Sequence, residues 1–155
     1  MTKEDIQYNA EFVPQKFSRN SMKDPCLNFK VSIGINGKFL TTDYSIGSCH
    51  IPKGVRKHTP SEIIGICNTG IYQSGSWKQS RIPSPPIDEV LYALNYEISS
   101  LNGCFKSWAE DFGYDSDSIK AKAMYEDCCD ISQRIMTISP KLHKFILEYR
   151  EDYDD

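Results

Sequence analysis

The sequence predicts an α+β fold: an N-terminal β-hairpin, alone or within a small antiparallel sheet, packed on a bundle of about four to five helices. Three observations predict it. Phe29, Val31, Ile33 and Ile35 alternate with polar or small neighbours, Asn36-Gly37 follows, and Leu40, Thr42, Tyr44 and Ile46 alternate beyond it. Period-two alternation on both sides of Asn-Gly is the strongest short hairpin signal. Ile87, Val90, Leu91, Leu94, Ile98 and Leu101 recur at helical spacing between Pro85-Pro86 and Asn102-Gly103. Two more stripes follow, one of Phe105, Trp108, Ala109 and Phe112, the other of Ala121, Met124, Tyr125, Cys128, Ile131 and Ile135. Each stripe is too narrow to hold a helix alone in water, so the three are expected to face one another in an antiparallel core. Tight turns are expected at 102–103 and 113–118.

In chain order, residues 1–25 are polar with scattered Phe12, Val13 and Phe17, and read as an arm, an edge strand or a disordered lead. A lone hairpin is marginal in water, so its apolar face needs the helices or a further strand from this segment. Gly47 to Pro52 breaks the second strand, and Lys53, Arg56, Lys57 and His58 make a basic loop. Thr59-Pro60-Ser61-Glu62 reads as a helix start, with Thr59 as cap and Pro60 in the first helical position. Ile63, Ile64 and Cys67 give that helix an inward face, and Gly70 ends it. Residues 71–83 show no period and read as a long mobile loop, with Tyr72 and Trp77 as its large side chains. Gly113 suits a left-handed helix end, and Asp117 or Ser116 is expected to cap the next helix. Ser139-Pro140 starts a last helix with Leu142, Phe145, Ile146 and Tyr149 inward. Residues 151–155 form an acidic tail. The whole, 1–155, is read as one domain.

Composition narrows the function classes. A hydrophobic content of 39% supports a core and argues against wholesale disorder. No apolar run approaches the ~18–20 residues of a membrane span. The start, Met-Thr-Lys-Glu-Asp, lacks the apolar run of a secretory signal, which points to the cytosol. The six cysteines are therefore expected to be reduced and packed as small hydrophobes. The net charge of −3 is unevenly spread. Residues 1–83 hold 11 basic and 6 acidic side chains, whereas residues 84–155 hold 7 basic and 15 acidic. Such a negative half repels nucleic acid and attracts basic protein surfaces.

No catalytic constellation emerges. Cys49, His50, His58 and Cys67 lack the spacing that places ligands on one tetrahedral ion, and His50 is poorly placed to activate its neighbour Cys49. Asp115 to Glu126 starts like a calcium loop, but Ile119 and Lys120 occupy positions that need a ligand and a glycine. Asp88-Glu89 and Glu110-Asp111 are adjacent helical residues that diverge by about 100°, so neither is a dyad. No phosphate-binding glycine loop or nucleophile motif is present. Neither an enzyme nor a cofactor or metal site is expected.

The string Phe105-x-x-Trp108-Ala109-x-Asp111-Phe112-Gly113-Tyr114-Asp115-Ser116-Asp117-Ser118, continuing to Tyr125 and Cys128, resembles a family of small proteins encoded by phages and prophages. Pro85-Pro86 with Val90, Leu91, Tyr92 and Leu94 precedes it, and Gly47, His50 and Pro52 share the likeness. It covers roughly residues 28–150. It implies a setting, an accessory gene of a mobile element acting in the bacterial cytoplasm, and little about activity.

The function expected is inhibition of a bacterial defence system, of the anti-CRISPR kind, by stoichiometric binding to a nucleic-acid-binding effector. Such effectors present Lys- and Arg-lined channels that an acidic surface can occupy. The residues expected at that interface are Glu110, Asp111, Asp115, Asp117, Glu126, Asp127, Asp130 and Glu148, with Tyr72 and Trp77 as aromatic anchors. The alternatives are a nucleic-acid-associated accessory factor using the basic N-terminal half, and a small thiol- or metal-dependent enzyme built on Cys49, His50 or His58.

Overall fold

In the computed structural model the described residues are 1–14, 26–47, 60–74, 78–101 and 103–150. Their fold is α+β, with a three-stranded antiparallel sheet and five helices. Strands β1 (Gln7–Val13), β2 (Cys26–Ile35) and β3 (Lys38–Gly47) lie in the order β1-β2-β3. Asn36 and Gly37 both have positive φ, 54° and 79°, as a type I′ turn requires. This two-residue turn sets Ile35 opposite Lys38. The same register puts Ser32 opposite Thr41 and Asn28 opposite Ser45, and both pairs bond across the strands, at 3.0 and 2.6 Å. Leu27, Phe29, Val31, Ile33 and Leu40 are buried on the other face.

Of the three readings open for the first residues, the edge strand holds for 7–13. Tyr8, Ala10 and Phe12 of β1 are half-buried at alternate positions. Phe12 meets Phe29 edge-on at 5.8 Å between centroids, and the Gln7 side-chain oxygen accepts from the Gly37 amide at 2.9 Å.

The chain divides into two units, one of Met1–Tyr8, Ile33–Leu40 and Pro86–Asp155, the other of Asn9–Ser32 and Thr41–Pro85. The second holds α1 (Pro60–Thr69), which buries Ile66 and Cys67 and closes with the Gly70 amide donating to the Ile66 carbonyl at 2.7 Å. Beyond it the sequence reading needs correction. Residues 71–83 are not a structureless loop. Ile71–Ser74 (β4) and Lys78–Arg81 (β5) pair antiparallel, with Ile71 opposite Arg81 and Ser74 opposite Lys78. The Ile82 amide extends the ladder to the Gly70 carbonyl at 2.7 Å. No side chain of β5 is fully buried, and Ile71 of β4 is exposed. The apolar alternation that marks a half-buried strand is therefore missing here, and the main-chain ladder is what defines the pair.

The first unit holds α2 (Ile87–Ser99), α3 (Phe105–Asp111), α4 (Ile119–Ile138) and α5 (Pro140–Leu147). Val90, Leu91, Leu94 and Ile98 of α2 are buried, as the stripe requires, with Leu142 and Ile146 of α5. Ser139 caps α5 by accepting from the Leu142 amide at 3.2 Å, and Pro140 takes the first turn. The cap of α4 is Ser118, which accepts from the Ala121 amide at 3.2 Å, and not Asp117 or Ser116. The helix begins at Ile119, so only the residue directly before it reaches the third amide. The α4 stripe is also shallower than its spacing suggests. Ala121 and Ile135 are buried, Tyr125, Cys128 and Ile131 are half-buried, and Met124 is exposed.

Two polar links join these elements. The Asn95 amide nitrogen donates to the Ile146 and Leu147 carbonyls at 2.9 and 3.0 Å, satisfying last-turn acceptors of α5 from α2. The Asp88 carboxylate accepts from Lys3 Nζ at 2.8 Å and from the Tyr149 hydroxyl at 2.7 Å. The Lys3 ammonium, then the Tyr149 hydroxyl, hold Asp88 below the usual carboxylate range. The knot sits in solvent, with Lys3 and Asp88 both nearly half exposed, so its net contribution is small.

No helix among the described residues is long and apolar enough to cross a membrane. Phe17, residues 49–59, Trp77 and residues 151–155 lie outside the described residues.

Candidate functional site

The sequence around α3 builds an aromatic cluster that is buried at its centre and open at its edge. Trp108, Ala109 and Ala121 form the core, with Leu101, Phe105 and Tyr125 packed against it. The Trp108 ring lies 4.9 Å from Phe112, 5.6 Å from Tyr125 and 6.0 Å from Tyr114, centroid to centroid. Its indole N–H donates to the Ser100 hydroxyl at 3.2 Å, and that hydroxyl donates to the Glu97 carbonyl at 2.6 Å. A buried tryptophan thus has its one donor satisfied.

The end of α3 fixes where the outer rings go. Gly113 has φ 74°; its amide donates to the Glu110 carbonyl at 3.2 Å, and the Tyr114 amide to the Ala109 carbonyl at 2.8 Å. These are the two bonds of a Schellman closure, and the glycine supplies its left-handed residue. The motif commonly brings the residue after the glycine against the last turn. Here Tyr114 stacks on Trp108 with the planes 9° apart. Phe112 reaches Tyr96 of α2 edge-on at 6.0 Å. Tyr96, Phe112 and Tyr114 remain 57%, 37% and 37% exposed, and Tyr92, one turn before Tyr96, is 52% exposed.

The acids expected at the interface are all on the outside. Glu110, Asp111, Asp115 and Asp117 follow one another along the end of α3 and the turn into α4. Glu126, Asp127 and Asp130 are exposed on α4, and Glu148 is exposed at the C-terminal cap of α5. Asp130 approaches Arg134 at 3.8 Å, with both side chains more than half exposed, a pair of little strength. Tyr72 is half-buried in β4, in the other unit. Trp77 lies outside the described residues.

No protein family, characterised protein or solved structure matches the chain in comparison. The site therefore rests on its own geometry.

Two other groupings contain reactive side chains. Cys26, Cys67, Cys104, Cys128 and Cys129 are free thiols. Burial, and then Cys26, push the Cys67 thiol up, which makes it inert. Burial foremost, with Glu97 and Cys129 nearby, pushes Cys128 up to about 11. The exposed Cys104 thiol is held below the ordinary range by the amide and hydroxyl of Ser107. The Ser132 hydroxyl and His143 Nε2 lie 2.9 Å apart between α4 and α5. No carboxylate among the described residues orients that imidazole, so the contact reads as an interhelical hydrogen bond. Among the described residues no group of three or more His, Cys, Asp or Glu is placed to hold a metal ion.

The sequence reading missed Tyr92, Tyr96 and Tyr114 as surface residues. The signal was present: Tyr92 and Tyr96 are four apart, off the apolar stripe of α2. Tyr114 directly follows the glycine that closes α3.

Glu97 carries a prediction. It is half-buried, and burial raises its carboxyl above the ordinary glutamate range. Between the ordinary value of 4.5 and the raised one, the folded state holds more protons than the unfolded, so its ionisation costs stability as pH rises. Glu97→Gln is expected to raise the urea midpoint at pH 7 and to leave it unchanged below pH 4. An equal gain at both pH values would assign the effect to packing.

Proposed function

We propose that this chain is a phage-encoded, stoichiometric inhibitor of a bacterial defence effector, of the anti-CRISPR kind, working in the host cytoplasm. One observation carries the reading: all seven carboxylates from Glu110 to Asp130 that the sequence nominates are exposed. A surface of this sign concentrates cationic partners and excludes nucleic acid. Lys- and Arg-lined channels that hold guide or target are its natural complement, because both ligands compete for the same cations. The resemblance of Phe105 to Cys128 to phage and prophage proteins supports the setting.

The test is competition for target DNA. Purified guide-loaded effectors are mixed with the chain, and DNA binding is followed by mobility shift. The chain is expected to displace DNA from its target effector. The variant with Asp115, Asp117, Asp127 and Asp130 all changed to Lys is expected to lose that effect while keeping its far-UV circular dichroism. Undiminished inhibition by the folded variant removes this surface from the mechanism. Undisturbed DNA binding across representative effectors removes the anti-CRISPR reading.

A further inference from the structure

We infer that the exposed rings of Tyr96, Phe112 and Tyr114 are the seat for an arginine-bearing segment of the basic partner, an inference that rests on the acidic-surface reading above and names its anchor. Tyr92, Tyr96, Phe112 and Tyr114, on α2 and at the end of α3, stand between 37% and 57% exposed, and the last three are joined through ring contacts to the buried Trp108. Aromatic rings stand at 96 and 114 while remaining 57% and 37% exposed. The rings are also held in place before any partner arrives. Tyr114 is stacked on Trp108 by the Schellman closure, and Phe112 is wedged between Trp108 and Tyr96. Little side-chain freedom is left to lose on binding.

Charge selects the occupant. From Asp88 to Asp117 the chain carries seven carboxylates and one cation, Lys106. Asp111 and Asp115 directly neighbour Phe112 and Tyr114 in sequence, Glu110 stands one residue before Asp111, and all three are exposed. An apolar or anionic segment would gain nothing from those carboxylates. Both common cations would gain, but they differ against a ring. A guanidinium is planar and weakly hydrated; it stacks on an aromatic face while its edge donates to a carboxylate. An ammonium is compact and strongly hydrated, and gains less from the ring. Rings and carboxylates side by side therefore fit arginine in particular.

The experiment measures binding of fluorescent oligo-arginine and oligo-lysine peptides of equal length to the full chain by anisotropy, at low and at physiological salt. Tyr96 is the residue to change, because it is the most exposed of the rings and its loss leaves the buried core intact. The arginine peptide is expected to bind more tightly than the lysine peptide. Tyr96→Ala should weaken arginine binding about two- to fivefold and leave lysine binding unchanged. Tyr96→Phe, which keeps the ring, should restore it. Equal binding of both peptides, or arginine binding indifferent to Tyr96→Ala, overturns the inference while leaving the acidic-surface reading in place. Binding that survives the fourfold Asp→Lys change, or no binding of either peptide at low salt, overturns both.

Discussion

Trp108→Ala is expected to lower the unfolding free energy by about 3–5 kcal/mol, the range for truncating a buried aromatic side chain. A domain of this size holds roughly 5–15 kcal/mol in total, so the variant should sit near its unfolding threshold at physiological temperature. The reason is the number of elements that meet at one ring. Trp108 is 4% exposed and contacts Phe105 and Phe112 along α3, Tyr114 beyond it and Tyr125 on α4. Alanine would leave a cavity bordered by four rings, and rings collapse poorly into a void because each is already held by its own backbone. Trp108→Phe separates two contributions. It keeps an aromatic body and loses the indole donor to Ser100, so about 1 kcal/mol plus the smaller ring's packing deficit is expected. Urea denaturation followed by far-UV circular dichroism measures both variants. A loss below about 1 kcal/mol for Trp108→Ala would mean that the cluster is a surface decoration and not the core of this unit.

Gly34→Ala is expected to be nearly as damaging, by a different route. A Cβ at position 34 would stand 1.9 Å from the Lys38 carbonyl oxygen, 2.8 Å from its carbon and 2.9 Å from Phe39 Cα. All three are main-chain atoms of the partner strand, so no side chain can rotate away. The strands must part just where the type I′ turn closes them. The cost should reach or exceed the ~1–3 kcal/mol usual for overpacking. Gly37→Ala is the informative control. Nothing lies within 4 Å of a Cβ there, but φ is +79°, so only the left-handed backbone penalty of about 1–2 kcal/mol applies. Gly34→Ala is therefore expected to lose more than Gly37→Ala by thermal denaturation. The reverse order would show that the hairpin end is loose enough to absorb a methyl group.

Much of the fold was legible in the residues because the relevant signals are local. Asn36-Gly37 demands positive φ, and both angles are positive. In the α2 stripe Val90, Leu91, Leu94 and Ile98 are buried and Ile87 and Leu101, at its ends, are half-buried, and Ser139-Pro140 starts α5. The misreadings have separate causes. β4 and β5 show no apolar alternation, so their pairing is invisible to hydropathy. The cap of α4 was displaced to Asp117 or Ser116 because several good capping residues precede Ile119, and only the helix's first turn decides among them. For the candidate site, the acids were legible since exposure is the ordinary state of Asp and Glu. Among the rings, Tyr92 and Tyr96 were legible as lying off the α2 stripe, whereas Phe112 falls on the α3 stripe and reads as core; its partial exposure depends on how α2 and α3 meet, a tertiary fact.

The most direct measurement is a titration of nuclease activity. A fixed amount of a guide-loaded effector identified by the DNA-competition assay is mixed with increasing chain, and DNA cleavage is measured after short and long preincubation. Occlusion by a bound protein is expected to give activity that falls linearly to an end point at a fixed molar ratio, the same at both times and shifted to weaker inhibition by added salt. Inhibition by far less than an equivalent of chain, deepening with preincubation, would mean that the chain turns over its target, and binding through an acidic exterior would no longer explain what it does.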